Sequence, residues 1–199
     1  MSSTQTAAAG LVNTRVLVLI TAAIVINIVG GQINDAIRLP IFLDSIGTVL
    51  VAVLAGPIAG GLAGLLTNLI WGLLTNPVAA AFAPVALVIG VVAGILARVG
   101  WFKTIWQAAI SGVVIAFFLT LVAVPIQVYL FGGVTGAGSD FAVAYLSQLG
   151  QSLFGSVAFT VFGSNVIDKI VTAVIVWLLV RQLPQRLVSG YDYLKYSRA

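Results

Sequence analysis

Six stretches of this sequence are apolar enough to cross a bilayer, and are long enough or nearly so. A spanning helix needs roughly 20 mostly apolar residues, with a usual range of about 17–25. The stretches cover residues 14–31, 41–55, 57–74, 77–99, 104–131 and 163–183, the second being short for a span. Breakers separate them. Gly30-Gly31 through Pro40 closes the first, and Gly56-Pro57 and Asn76-Pro77 make tight turns on either side of the third. Pro77 suits the first turn of a helix, where its missing N–H costs nothing. Residues 98–103 form a short polar connection, and 132–140 form a Gly-rich loop without a basic residue.

Composition supports lipid as the solvent. Only 7% of the 199 residues are charged and 61% are hydrophobic, whereas a soluble domain is about 25% charged. The expected fold is an all-α integral membrane protein, a six-span helical bundle over 14–183. It is flanked by a small polar tail at 1–13, read as disordered and not as a signal peptide, and by a basic tail at 184–199.

The stretch 141–162 is apolar but carries Ser147, Gln148, Gln151 and Ser152 near its middle. Charge decides its placement. With six spans and an inner N-terminus, Arg15, Arg98, Lys103, Arg181, Arg186, Lys195 and Arg198 all fall on the cytoplasmic side, seven of the nine basic residues. That distribution obeys the positive-inside rule. A seventh span would move the basic C-terminal tail outside. Residues 141–162 are therefore expected to pack on the outer side of the bundle, with both termini cytoplasmic and the chain multi-pass in the cell membrane. The net charge of +4 does not indicate nucleic acid, because the basic residues border membrane ends and form no stripe.

The inventory excludes much chemistry. The chain has no Cys, His or Glu, so thiolate metal sites and Ser–His pairs are impossible and no cofactor is implied. Asp44 and Asp168 are the only candidates for an intramembrane aspartyl pair, and their placement toward the outer side argues against that role. No nucleotide motif is present. The expectation is a binding or transport subunit and not an enzyme.

Polar groups at membrane depth need protein partners, and charged ones cost at least about 2.5–3.5 kcal/mol mid-helix on insertion scales. Gly64, Asn68, Trp71 and Thr75 share one face of the third span by helical spacing, and Asn165, Asp168, Lys169 and Thr172 share one face of the sixth. Asp44 lies just inside the second span and Gln127 in the outer part of the fifth, while Asp35 and Arg38 occupy the first outer loop. Convergence at one end points to a ligand site. Each residue also has a bland reading. Asp168 and Lys169 near a helix start gain from the dipole or from water, Asn68 can bond another helix, and Trp71 can anchor at an interface. Gly60, Gly61 and Gly64 read as close-packing positions.

The run Leu39-Pro40-Ile41-Phe42-Leu43-Asp44-Ser45-Ile46-Gly47-Thr48, then Gly56-Pro57-Ile58-Ala59-Gly60, then Gly64-Leu65-Leu66-Thr67-Asn68, resembles the S components of energy-coupling factor (ECF) vitamin transporters. So does Asn165-Val166-Ile167-Asp168-Lys169. The resemblance covers nearly the whole chain. It implies a membrane-embedded subunit that captures a micronutrient from the outer side. That subunit then docks on a transmembrane coupling subunit with two ATPase subunits and topples to carry the ligand inward. It also implies a pocket lined by Asn165, Asp168 and Lys169, with Asn68, Trp71, Gln127 and Asp44 as further candidates. Loops 32–40 and 75–77, carrying Asp35, Arg38 and Asn76, would act as gates. The Ala-xxx-Ala repeats frequent in the family's first helix are missing here. Ala23, Asn27 and Gly31 share a face and are expected to replace them in docking. Two other readings stay open: a multi-span membrane sensor or scaffold without transport, and a standalone carrier, although no internal repeat of the carrier kind is visible. The ligand is expected to be small, polar and partly aromatic.

Overall fold

A computed structural model describes residues 14–37, 41–184, 190–191 and 194–197. The tail at 1–13, Arg38, Arg186 and Arg198 lie outside the described residues. The described chain is all-helical: α1 (Thr14–Ile37), α2 (Ile46–Ala55), α3 (Pro57–Leu74), α4 (Pro77–Ala81), α5 (Ala83–Arg98), α6 (Ile105–Phe131), α7 (Asp140–Gln148), α8 (Leu153–Gln182) and α9 (Leu194–Ser197). Four of these, α1, α3, α6 and α8, are long and apolar enough to cross a membrane. The apolar helices α2 and α5 are shorter.

The surface is the reverse of a soluble bundle. Val25, Ile33, Leu73, Phe117, Leu121, Phe159 and Ile167 all point outward, while Asn27, Thr48, Thr67, Asn165 and Thr172 are buried. Water would drive the large apolar side chains inward. Lipid exerts no such drive, so small and polar residues take the helix–helix contacts.

Close packing follows from those small residues. A side chain added at Gly60 would overlap Ala52, one at Gly64 the backbone of Ala86, one at Gly90 the backbone of Gly60, and one at Gly94 that of Pro57. The α3–α5 contact is thus backbone on backbone. Gly112 of α6 lies equally close to the Lys169–Ile170 backbone of α8. The Thr104 hydroxyl accepts from the Gln107 N–H at 3.3 Å and Gln107 Oε1 accepts from the Thr104 N–H at 3.1 Å, a reciprocal cap that starts α6.

The major helices alternate in direction. Arg181 and Trp177 at the end of α8 donate to the Lys103 carbonyl just before α6, at 3.0 and 3.4 Å. The Tyr191 hydroxyl donates to the Arg15 carbonyl at 3.3 Å. Arg15, Arg98, Lys103 and Arg181 therefore gather at one end. The ends of α1, α3 and α6 and the start of α8 form the other, where a methyl on Gly133 would touch Leu153.

Four boundaries differ from the sequence expectation. Gly30-Gly31 does not end the first helix, which continues to Ile37. These glycines serve close approach instead, Gly30 to the Leu43 carbonyl and Gly31 to the Trp71 ring. The second stretch is helical only from Ile46. The fourth is split at Phe82, because Pro84 in the first turn of α5 has no N–H to donate and its ring crowds the carbonyl four residues back. Finally, 141–162 is not one segment. It divides into α7 and the first turns of α8 around Gly150, whose φ of 85° suits glycine. The Ser152 hydroxyl accepts from the Gly155 N–H at 3.2 Å and caps α8.

Gly90→Leu is expected to destabilise the fold by about 1–3 kcal/mol or more, the usual cost of overpacking. Gly163→Ala, at an open helical position with nothing within 4 Å, is expected to be neutral or to stabilise by up to ~1 kcal/mol. Thermal unfolding in detergent compares the two.

Candidate binding cavity

The site begins with a helix that starts late. α2 has 10 residues, about 15 Å of rise, half of a hydrocarbon core about 30 Å thick. The chain enters as irregular backbone over 41–45. Irregular backbone at membrane depth persists only where protein satisfies its polar groups. Asp168 of α8 does this: its Oδ1 accepts from the N–H of Phe42 at 3.0 Å and of Leu43 at 2.9 Å. Leu43 sits at φ 54°, the one non-glycine residue with positive φ among the described residues. This conformation is uncommon for leucine and persists only where its surroundings fix it.

The other Asp168 oxygen is ion-paired with Lys169. Lys169 Nζ also donates to the Ser45 hydroxyl at 2.7 Å and lies 3.9 Å from Asp44 Oδ1. Both Asp168 and Lys169 are buried. α8 starts at Leu153, so the pair lies near mid-helix and the reading as a helix start is corrected. The helix dipole contributes little that far from an end, which leaves mutual pairing and loop contacts to hold the two charges.

A second polar knot holds the start of α2. Asn27 Oδ1 accepts from the Gly47 N–H at 2.7 Å. Asn27 Nδ2 donates to the hydroxyls of Thr48 at 2.9 Å and Thr67 at 3.1 Å. One amide thus joins α1, α2 and α3. Ala23, Asn27 and Gly31 are all buried, so the expectation that they form a free docking face is corrected: their shared face is turned into the bundle. Gly31 is covered by Trp71 and Ala23 by Gly47.

Beside the irregular segment lies a cavity of about 140 Å³. Six of the seven residues expected to contact ligand line it: Asn165 and Lys169 from α8, Asn68 and Trp71 from α3, Gln127 from α6, and Asp44. Asp35 and Asn76 also line it, and Asn76 Nδ2 donates to Asp35 Oδ2 at 3.3 Å across the α1 and α3 ends. Asp168 does not line it. Its role is corrected from ligand contact to support of the segment and of Lys169, because both carboxylate oxygens are engaged. Thr75 is exposed beyond the end of α3 and accepts weakly from Gln32 at 3.4 Å. Arg38 lies outside the described residues.

The cavity amides have unused capacity. Asn165 Nδ2 donates to the Val161 carbonyl at 2.9 Å and Gln127 Nε2 to that of Gly133 at 3.0 Å. Among the described residues, the Asn68 side chain has no hydrogen-bond partner although it is only 7% exposed. Phe82, Val85, Ile89, Leu119 and Ala123 add apolar lining. A few polar groups in a largely apolar lining orient a small molecule.

Ser45, Thr48, Phe42 and Phe82 complete the site without having been singled out. Ser45 and Thr48 stood inside the Asp44–Thr48 run, where two hydroxyls in a short apolar stretch were the available signal. Phe82 gave none, because its position depends on the break between α4 and α5. No family model, curated protein or solved structure matches this chain.

Asp168→Ala is expected to cost about 3–5 kcal/mol, since it leaves a buried ammonium unpaired. Asp168→Ala combined with Lys169→Met is expected to recover part of that loss. Denaturant unfolding of both single variants and the double closes the cycle.

Proposed function

We propose that this chain is the substrate-binding S component of an ECF-type importer, a six-span protein of the cell membrane. It captures a water-soluble micronutrient from the outer side and presents it to a coupling subunit with two ATPases. The observation that carries this reading is the Asn68 amide, without a partner among the described residues and open to a cavity shared with Asn165 and Gln127. Asn27, buried between helices, makes three hydrogen bonds. Asn68 waits for one that enters and leaves.

The arrangement of charge supports the same direction. The cavity opens at the end remote from Arg15, Arg98, Lys103 and Arg181, and positive residues face the cytoplasm in membrane proteins. The cavity is then on the outer side and both described helical termini are inside. Asn165, Asn68 and Gln127 supply hydrogen bonds, Trp71 supplies a ring face, and Asp35 with Asn76 forms the rim that opens and closes. ATP hydrolysis resides in the partners.

A thermal-shift screen of the detergent-purified protein against water-soluble vitamins, their precursors and nucleosides tests this. A ligand that binds only the folded state adds about 2.7 kcal/mol of stability at a hundred times its Kd. Asn68→Ala and Asn165→Ala are each expected to weaken binding by about 1–3 kcal/mol while the ligand-free melting temperature holds. Affinity unchanged in both removes the site assignment. Binding without copurification of a coupling subunit favours a membrane sensor.

A further inference from the structure

We propose, resting on the capture reading, that the cavity selects a small organic cation built on a single ring. The argument is one of charge balance. Among the described residues, Lys169 is the only basic side chain that lines the cavity. Its charge is already matched by Asp168, and its ammonium is directed at Asp168 and the Ser45 hydroxyl. The Lys169 side chain is 1% exposed, whereas that of Asp44 is 25% exposed. A molecule in the cavity therefore meets the Asp44 carboxylate and not the ammonium behind it.

Asp35 at the rim adds a second carboxylate, held by the neutral Asn76 amide. Asp35, Asp44 and Asp168 stand against Lys169, an excess of carboxyl groups among the described residues. Arg15, Arg98, Lys103 and Arg181 sit at the other end of the bundle, and Arg38 lies outside the described residues. In a surround of low dielectric that excess repels an anion and attracts a cation far more strongly than in water. Phe42, Trp71 and Phe82 bring aromatic surface to the same cavity, and ring faces attract cations.

Size narrows the class further. The volume of about 140 Å³ is close to that of cavities of about 150 Å³ that admit one benzene. The unpartnered Asn68 amide, together with Asn165 and Gln127, fits amino or hydroxyl substituents on that ring.

The test sorts binders by charge at fixed ring. Purified protein is screened by thermal shift against water-soluble vitamins and nucleosides, and against two matched series. These are 1-methylnicotinamide, nicotinamide and nicotinate, and benzylammonium, benzyl alcohol and benzoate. Cationic binders are expected to lead, and Asp44→Asn is expected to weaken them by at least about tenfold, with Asp44→Glu retaining most of the affinity. A leading binder that is neutral or anionic overturns the cation class and leaves capture standing. Cation binding that is unchanged in a folded Asp44→Asn also overturns it. No binder in the whole panel counts against both this inference and the capture reading. If Asp44→Asn does not fold, the charge ranking on the native protein decides alone.

Discussion

Asp168 is the point on which this architecture turns. It carries a charge to the middle of a long apolar helix, where solvation is poor, and it has two jobs there. One oxygen neutralises Lys169 and the other caps two backbone N–H groups of the segment 41–45. Without that acceptor, the segment would expose unpaired backbone at membrane depth, and a continuous helix would be the stable alternative. The irregular segment, whose Phe42, Asp44 and Ser45 line the cavity, is thus held by a buried carboxylate.

The remaining packing makes this concentration of polarity tolerable. Backbone-on-backbone contacts at Gly60, Gly64, Gly90 and Gly94 bring α3 and α5 together without large side chains. They leave leucine and phenylalanine for the lipid-facing surface. At the cavity end Phe82 stacks on Phe131 with ring centroids 5.8 Å apart.

Much of this was legible along the chain, for identifiable reasons. Helical spacing placed Asn165, Asp168, Lys169 and Thr172 on one face, and all four are buried together. α3 begins at Pro57 and ends at Leu74 as its turn residues dictate. Periodicity did not distinguish a residue that faces the cavity from one that faces a neighbouring segment, so Asp168 was grouped with Lys169 as a ligand contact. It equally mistook the inward stripe of Ala23, Asn27 and Gly31 for an outward one, because a helix that is apolar all round has no sidedness of its own.

What the sequence by itself determined is the solvent and the material. Scarce charge and long apolar runs call for helices in lipid, small residues at regular intervals call for close approach, and a few costly polar residues mark where ordinary packing stops. Tertiary structure decided which of those polar groups are satisfied. Asn27 and Asp168 find protein partners from segments distant in sequence, while Asn68, the same residue type as Asn27, finds none among the described residues. That distinction depends on the distance between groups on separate helices, which a one-dimensional pattern does not contain.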